Sequence, residues 1–235
     1  MQKQWIHQEL ELLKQPFYHR VASLLHLTQG ETILHIGCRE GYLTRILAEH
    51  GAIVSGWDPN AKLIDYCQSF DLNGGILPTY HAGVWTEEEG PFDTVLLGHF
   101  HSYDNIEQVM KRASKRICII SNTGQDIVGD IRSLLLPDSE EDHTCDSHTL
   151  CENYSHLFQM LYDYGIDPNV KIISDALIQS YENQQQMINS LTMILSVDDT
   201  ERKLLAENVI PYMQEINGRL ILKLSYKVAL IYWNK

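Results

Sequence analysis

Apolar positions along this chain change their period twice. Up to residue 30 they recur at helical spacing (Trp5, Leu10, Leu13, Phe17, Val21, Leu24, Leu25), and Pro16 divides the stretch into two helical pieces. From Thr32 short apolar runs alternate with helical stretches. The runs are Ile33–Ile36, Ala52–Trp57, Ile76–Tyr80, Thr94–Leu97 and Ile117–Ile120, and the helical patterns Tyr42–His50, Lys62–Phe70 and Ile106–Ala113 lie between them. Short, continuously apolar runs suit strands buried on both faces. The alternation therefore predicts βαβ units and a parallel sheet covered by helices on both sides.

After Asn122 the alternation stops. A polar, acidic segment, Leu136–Thr149, leads to a predicted helix over Tyr154–Tyr164 that ends at Gly165. Pro168 precedes a predicted strand, Val170–Ile178. Two amphipathic helices follow: one carries Met187, Leu191 and Ile194 on a face, and the next is opened by Ser196 with Asp199 at capping-box spacing. Arg219–Trp233 closes the chain as a β-rich run long enough to predict a bulge. The predicted fold is α/β: a doubly wound, mainly parallel seven-stranded sheet with an antiparallel C-terminal hairpin, N-terminal helices and a helical insertion before the last strand.

With 235 residues, 44% of them hydrophobic, the chain suits one large α/β domain better than two. Its 18 basic against 31 acidic residues give a net charge of −13, which repels a phosphate backbone or an anionic membrane surface. The one basic group, Lys111, Arg112, Lys115 and Arg116, suits the carboxyl end of a helix, so no nucleic-acid or membrane partner is expected. Five irregularly spaced cysteines fit a reducing compartment. The first fifteen residues lack the apolar core of a signal peptide, and no apolar run approaches ~18 residues. A cytoplasmic protein, monomer or homodimer, is the expectation.

Chemistry enters at Gly37-Cys38-Arg39-Glu40-Gly41, a turn that ends the first apolar run and opens a helical stretch; Asp58 ends the next run about 20 residues later. Glycines let a backbone approach a ligand closely, and an acid at the next strand end accepts hydrogen bonds from ribose hydroxyls. An adenosine-type cofactor across the carboxyl ends of two parallel strands is the expected ligand. The same residues would also serve a plain βαβ unit in which Asp58 caps a helix at Pro59–Asn60. The acid's distance, with strand, turn and helix on both sides, favours the cofactor. The Gly-x-Gly-x-x-Gly of nicotinamide dehydrogenases is absent.

The segment Glu31–Cys67 resembles the class I S-adenosylmethionine-dependent methyltransferases, with Gly37, Cys38 and Gly41 in the glycine loop and Asp58 as the ribose acid. Pro91–Asn105 looks like the family's fourth strand and the loop after it. The resemblance implies S-adenosylmethionine as cofactor, with His35, Gly37, Cys38, Arg39 and Gly41 around its methionine and ribose portion. It places Asp58 and Pro59 at the ribose hydroxyls, Ala82, Gly83 and Val84 at the adenine edge, and Gly98 beside the post-strand loop. His35 stands where the family usually has an acid, Arg39 replaces the middle loop glycine, and no acid follows the third strand. The implied activity is methyl transfer to a small-molecule acceptor. The alternative is a catalytically inactive or cofactor-sensing protein that keeps the fold.

Methyl transfer is an in-line displacement, so the enzyme aligns the acceptor and, for oxygen or nitrogen, removes a proton. His99, His101 and Tyr103, after the fourth strand, are candidate bases. Histidines in an exposed loop are equally plain surface residues. His143, Cys145, His148 and Cys151 could ligate zinc, but their spacing matches no strong signature and no metal is expected. Within a single domain, 1–235, residues 1–30 are read as N-terminal helices and 31–122 as the cofactor-binding half. Residues 123–235 form the acceptor side, with a helical insertion at 181–216. Met187, Met193, Tyr212 and Met213 there suit core packing or an acceptor pocket.

Overall fold

The computed structural model describes residues 15–70, 78–83, 85, 90–98, 106–123, 127–137 and 154–235. Strand β1 (Thr32–Ile36) sits inside a parallel sheet, with β2 (Ile53–Asp58) and then β3 (Thr79–Ala82) on one side. On its other side lie β4 (Phe92–Gly98) and then β5 (Ala113–Asn122). Two antiparallel strands complete the path: β8 (Arg219–Asn234) beside β5, and β6 (Asn169–Tyr181) beside β8, giving the order β3-β2-β1-β4-β5-β8-β6.

Both faces of the sheet are buried, which is why the first strands read as unbroken apolar runs. In β1, Ile33 faces one core with Val21 and Leu25, from helix α1 (Gln15–Leu24) and the turn after it, and with Leu47 of α2 (Tyr42–Glu49). Its neighbour Leu34 faces the other core with Val109 of α4 (Ile106–Arg112) and Leu157 of α6 (Tyr154–Asp163). Helix α3 (Ala61–Phe70) covers a smaller cluster of Cys38, Ile64, Cys67 and Tyr80. Each fully buried aliphatic side chain contributes about 1.5–3 kcal/mol.

At the amino edge Glu31 is buried and accepts hydrogen bonds from Thr94 Oγ1 (2.7 Å), Arg116 Nη2 (2.9 Å) and the Thr28 backbone N–H (3.1 Å). Beside it Asp93 accepts from the Thr32 N–H at 3.0 Å and lies 3.1 Å from Lys115 Nζ. These contacts clamp β1, β4 and β5 together and leave the carboxyl edge open for chemistry.

The pairing of β5 with β8 ends at Asn122 and Val228, whereas β8 and β6 stay paired to Leu220 and Tyr181. Residues 219–227 of β8 therefore project past the carboxyl edge by roughly 30 Å, at ~3.3 Å per residue. The insertion covers this ribbon. Met187 and Leu191 of α7 (Gln184–Ile194), Leu205 of α8 (Asp199–Asn208) and Val209 share a buried cluster with Leu222, Leu224 and Tyr226.

The structure corrects several sequence expectations. Helix α5 (Ile127–Leu135) follows β5 where the alternation seemed to stop; its Gly129 interrupts the apolar pattern. The second insertion helix is capped by Asp198 with Glu201, not Ser196 with Asp199; Ser196 takes a left-handed backbone (φ 52°) before the cap. Met213–Ile216, read as helical, is an additional strand, β7, hairpinned to β8 through Asn217 (φ 53°) and Gly218 (φ 75°), so among the described residues the sheet has eight strands rather than seven. Asn-Gly is the residue pair that such a positive-φ turn requires. Tyr181 likewise belongs to β6, not to the insertion. Strand β8 pairs with β6 without a register break from Leu220 to Tyr232, so the expected bulge is absent there. Strand β3 begins at Thr79, later than the apolar run suggested, and Ala113 starts β5 instead of ending a helix.

Candidate functional site

The loop from β1 to α2 and the end of β2 meet at the carboxyl edge. Gly37 has φ 76°, and a Cβ there would lie 2.0 Å from the Gly98 carbonyl oxygen, so the ends of β1 and β4 approach as closely as they do because this side chain is missing. Gly41 caps α2 in a left-handed conformation. Arg39, at the loop centre, is also left-handed, with φ 51°.

Asp58 is 5% exposed and its carboxylate joins two segments. One oxygen accepts the Arg39 N–H at 3.0 Å and the other the Asn60 N–H at 2.9 Å. Asn60 in turn accepts from the Lys62 N–H at 3.2 Å and opens α3. Asp58 thus serves the turn into α3, as the plain βαβ reading has it, and also holds the loop after β1. Pro59 is exposed beside it. The Asp58 carbonyl accepts the Gly83 N–H at 2.9 Å, and Ala82 is its register partner, so the end of β3 sits against the end of β2.

The loop amides are turned inward. Gly37 and Cys38 both donate to the Trp57 carbonyl, at 2.8 and 3.1 Å, and Gly41 donates to the Cys38 carbonyl at 2.9 Å. With Arg39 bonded to Asp58, the amides of residues 37, 38, 39 and 41 all have protein acceptors.

A cleft of about 300 Å³, open mouth included, lies over this loop; His35, Gly37, Cys38, Arg39 and Gly98 line it. His35 is 2% exposed and shares a 2.8 Å hydrogen bond between Nδ1 and Thr44 Oγ1. Burial pushes its pKa down to about 3, so the ring is neutral. Burial, with Cys67 and Asp58 nearby, pushes the Cys38 thiol up, which leaves it protonated and unreactive. Arg39 Nε stands 3.8 Å from Glu40 Oε2.

Sequence reasoning missed Tyr18 and Tyr42, which also line the cleft, and the stack of Trp57 on His81 at 4.6 Å and 10°. Tyr18 sits next to Phe17 in the amphipathic pattern of α1, which was the available signal; the stack has none, because β2 and β3 meet only in the sheet. Val84, His99, His101 and Tyr103 lie outside the described residues, as do His143, Cys145, His148 and Cys151. Among the described residues no helix is long and apolar enough to cross a membrane.

Residues 34–119 match the family described as "Methyltransferase domain". No curated protein matches the chain. Among solved structures, it is similar to a putative methyltransferase from Bacillus halodurans C-125, at 15% identity and TM-score 0.55, over 94% of this chain and 98% of that one. It is similar to precorrin-6y C5,15-methyltransferase from Geobacter metallireducens GS-15, at 12% identity and TM-score 0.54, over 92% and 87% of the two chains. Magnesium protoporphyrin IX methyltransferase from Synechocystis PCC 6803, solved with bound S-adenosylmethionine, matches at 14% identity and TM-score 0.52, over 98% and 83%. At these identities the likeness establishes a shared fold.

Proposed function

Residues 34–119 match a methyltransferase domain, and we propose that the protein is a class I S-adenosylmethionine-dependent methyltransferase that transfers a methyl group from S-adenosylmethionine to a small-molecule acceptor. The observation that carries the reading is the junction of the Gly37–Gly41 loop with the Asp58 carboxylate beneath an open cleft. When bound, the cofactor supplies an electrophilic methyl group on a sulfonium. The chain's part is to hold that group and to present an acceptor to it.

The residues fit the cofactor. Each Asp58 oxygen spends one lone pair on a backbone N–H and keeps another for a ribose hydroxyl. His35, Gly37, Cys38, Arg39 and Gly41 would surround the methionine and ribose portion, Asp58 and Pro59 the ribose hydroxyls, and Ala82, Gly83 and Val84 the adenine edge. Gly98 closes the cleft opposite Gly37. The loop after Gly98 carries His99, His101 and Tyr103, and these remain the candidates for removing a proton from the acceptor. On this reading the single domain divides into a cofactor half before Asn122 and an acceptor half after it, a division supported by the β6–β8 ribbon that projects past the carboxyl edge.

A small acceptor is supported by the tetrapyrrole-related substrates named for the similar structures and by the −13 charge, which opposes nucleic acid. A cytoplasmic setting agrees with the irregular cysteines, of which Cys38, Cys67 and Cys118 are buried free thiols. Calorimetric titration with S-adenosylmethionine and S-adenosylhomocysteine tests the reading: saturable heat is expected, and none at millimolar ligand overturns it. One observation favours a second reading, a cofactor-sensing protein without turnover: a neutral histidine occupies the place of the family's acid. That reading requires binding without any conversion of labelled S-adenosylmethionine to S-adenosylhomocysteine when cell extract supplies acceptors.

A further inference from the structure

We infer that His35 presents a protonated Nε2 to the cleft and, together with Arg39, receives the carboxylate of the cofactor's amino-acid end rather than its ammonium group. The inference rests on the cofactor assignment above and reverses the polarity that an acid at this position would create.

Proton accounting is the first step. Thr44 is fully buried, and its hydroxyl makes one hydrogen bond among the described residues, to His35 Nδ1 at 2.8 Å. A hydroxyl carries a single proton, and a buried donor left without an acceptor costs about 1–3 kcal/mol. If Nδ1 held the imidazole proton, the Thr44 proton would have nowhere to go. The Thr44 O–H therefore donates to Nδ1, and the neutral ring keeps its own proton on Nε2. Burial holds the ring neutral, which excludes the doubly protonated form that would evade this choice.

Position is the second step. His35 lines the cleft, and Nε2 faces the end of β4, where a Cβ on Gly98 would lie 2.8 Å away. Nε2 has no hydrogen-bond partner among the described residues, and its ring is part of the cleft lining. It is a donor at the rim of the site.

The third step is what else the cleft offers an anion. The amides of Gly37, Cys38, Arg39 and Gly41 are bonded within the protein, so donors for a carboxylate come from side chains and from the uncapped first turn of α2, whose Tyr42 and Leu43 also line the cleft. Among the described residues Arg39 is the ionised one in the lining, with Glu40 Oε2 3.8 Å from its Nε, and no carboxylate lines the cleft itself. A neutral N–H donor beside a cation attracts a carboxylate and gives an ammonium nothing to donate to.

Two measurements test the inference. In calorimetry with S-adenosylhomocysteine and two analogues, removing the ligand carboxylate while keeping the amine is expected to weaken binding at least tenfold. Removing the amine while keeping the carboxylate should change it by less than about threefold. Equal losses, or a larger loss for the missing amine, overturn the inference and leave the methyltransferase reading intact. Failure of S-adenosylhomocysteine itself to bind overturns both. Independently of any ligand, proton–nitrogen correlation spectra of the imidazole in the free protein should report His35 with a bare Nδ1 and a protonated Nε2. A protonated Nδ1 overturns the inference whatever the titrations return.

Discussion

The Asp58 carboxylate accepts the backbone N–H of Arg39 at 3.0 Å, across 19 positions of sequence. This contact locks the loop after β1 to the end of β2 and holds the left-handed Arg39 in place. The other oxygen holds the Asn60 N–H, so one side chain shapes both the loop and the turn into α3. A carboxylate already oriented by two amides meets a ligand hydroxyl without first losing rotamer freedom.

Replacing Asp58 with alanine removes that acceptor from two half-buried amides and from the ribose. Affinity for S-adenosylhomocysteine is expected to fall ten- to hundredfold, about 1.5–3 kcal/mol. Urea unfolding should also register a loss of about 1–3 kcal/mol. An unchanged dissociation constant in a folded variant would confine Asp58 to the turn.

Gly37→Ala places a Cβ 2.0 Å from a backbone oxygen that cannot swing away, at a φ of 76° that L-residues disfavour. The left-handed conformation alone costs roughly 1–2 kcal/mol, and the displaced β4 end adds to it. A drop in stability of at least about 2 kcal/mol and weakened cofactor binding are expected, read by denaturant unfolding and calorimetry. Wild-type stability in this variant would contradict the close approach of β1 and β4.

Acid should loosen the amino edge. Burial pushes the Glu31 pKa up, but hydrogen bonds from Thr94 and the Thr28 N–H, with the Arg116 charge, outweigh it and hold the pKa below its ordinary 4.5. Asp93 is also held low, chiefly by the Thr32 N–H and then by Lys115. A carboxylate with a depressed folded pKa contributes stability that is complete above its unfolded pKa and is lost as pH falls through the folded one. Urea unfolding free energies should be flat from neutrality to about pH 5 for these two groups and decline below the ordinary carboxylate range. Glu31→Gln should lower stability at neutral pH and make the acid decline shallower. An acid limb as steep as wild type would exclude Glu31 as a source.

Arg132 ties α5 to the insertion. It is 6% exposed and donates to the Leu195 carbonyl at 2.7 Å and to Glu201 Oε1 at 2.5 Å. Arg132→Ala leaves that carbonyl and carboxylate poorly matched and is expected to cost about 3 kcal/mol or more. Amide exchange should rise first in α7 and α8, because these helices join the parallel sheet through this link, through Asn208 Nδ2 donating to the Leu135 carbonyl at 2.8 Å, and through the β6–β8 ribbon. Exchange rising evenly over the whole chain would argue against a local joint.

The sequence by itself determined the parallel half of the molecule and the strand ends at which the candidate site is read. Runs such as Ile33–Ile36 and Thr94–Leu97 leave no polar face for solvent, and a strand without one must be covered on both sides. Gly37 and Asp58 were legible for a related reason: a left-handed turn at a strand end and an acid at the next one are constraints written in single residues. Tertiary structure alone decided what depends on two distant segments meeting. Whether the loop amides face a ligand or β2 was settled by the Trp57 carbonyl and the Asp58 carboxylate, and the proton of His35 by Thr44, nine residues on in the sequence but adjacent in space. The reach of the β6–β8 ribbon past the sheet, and the strand character of Met213–Ile216, came from pairing energy between strands that local propensity does not contain.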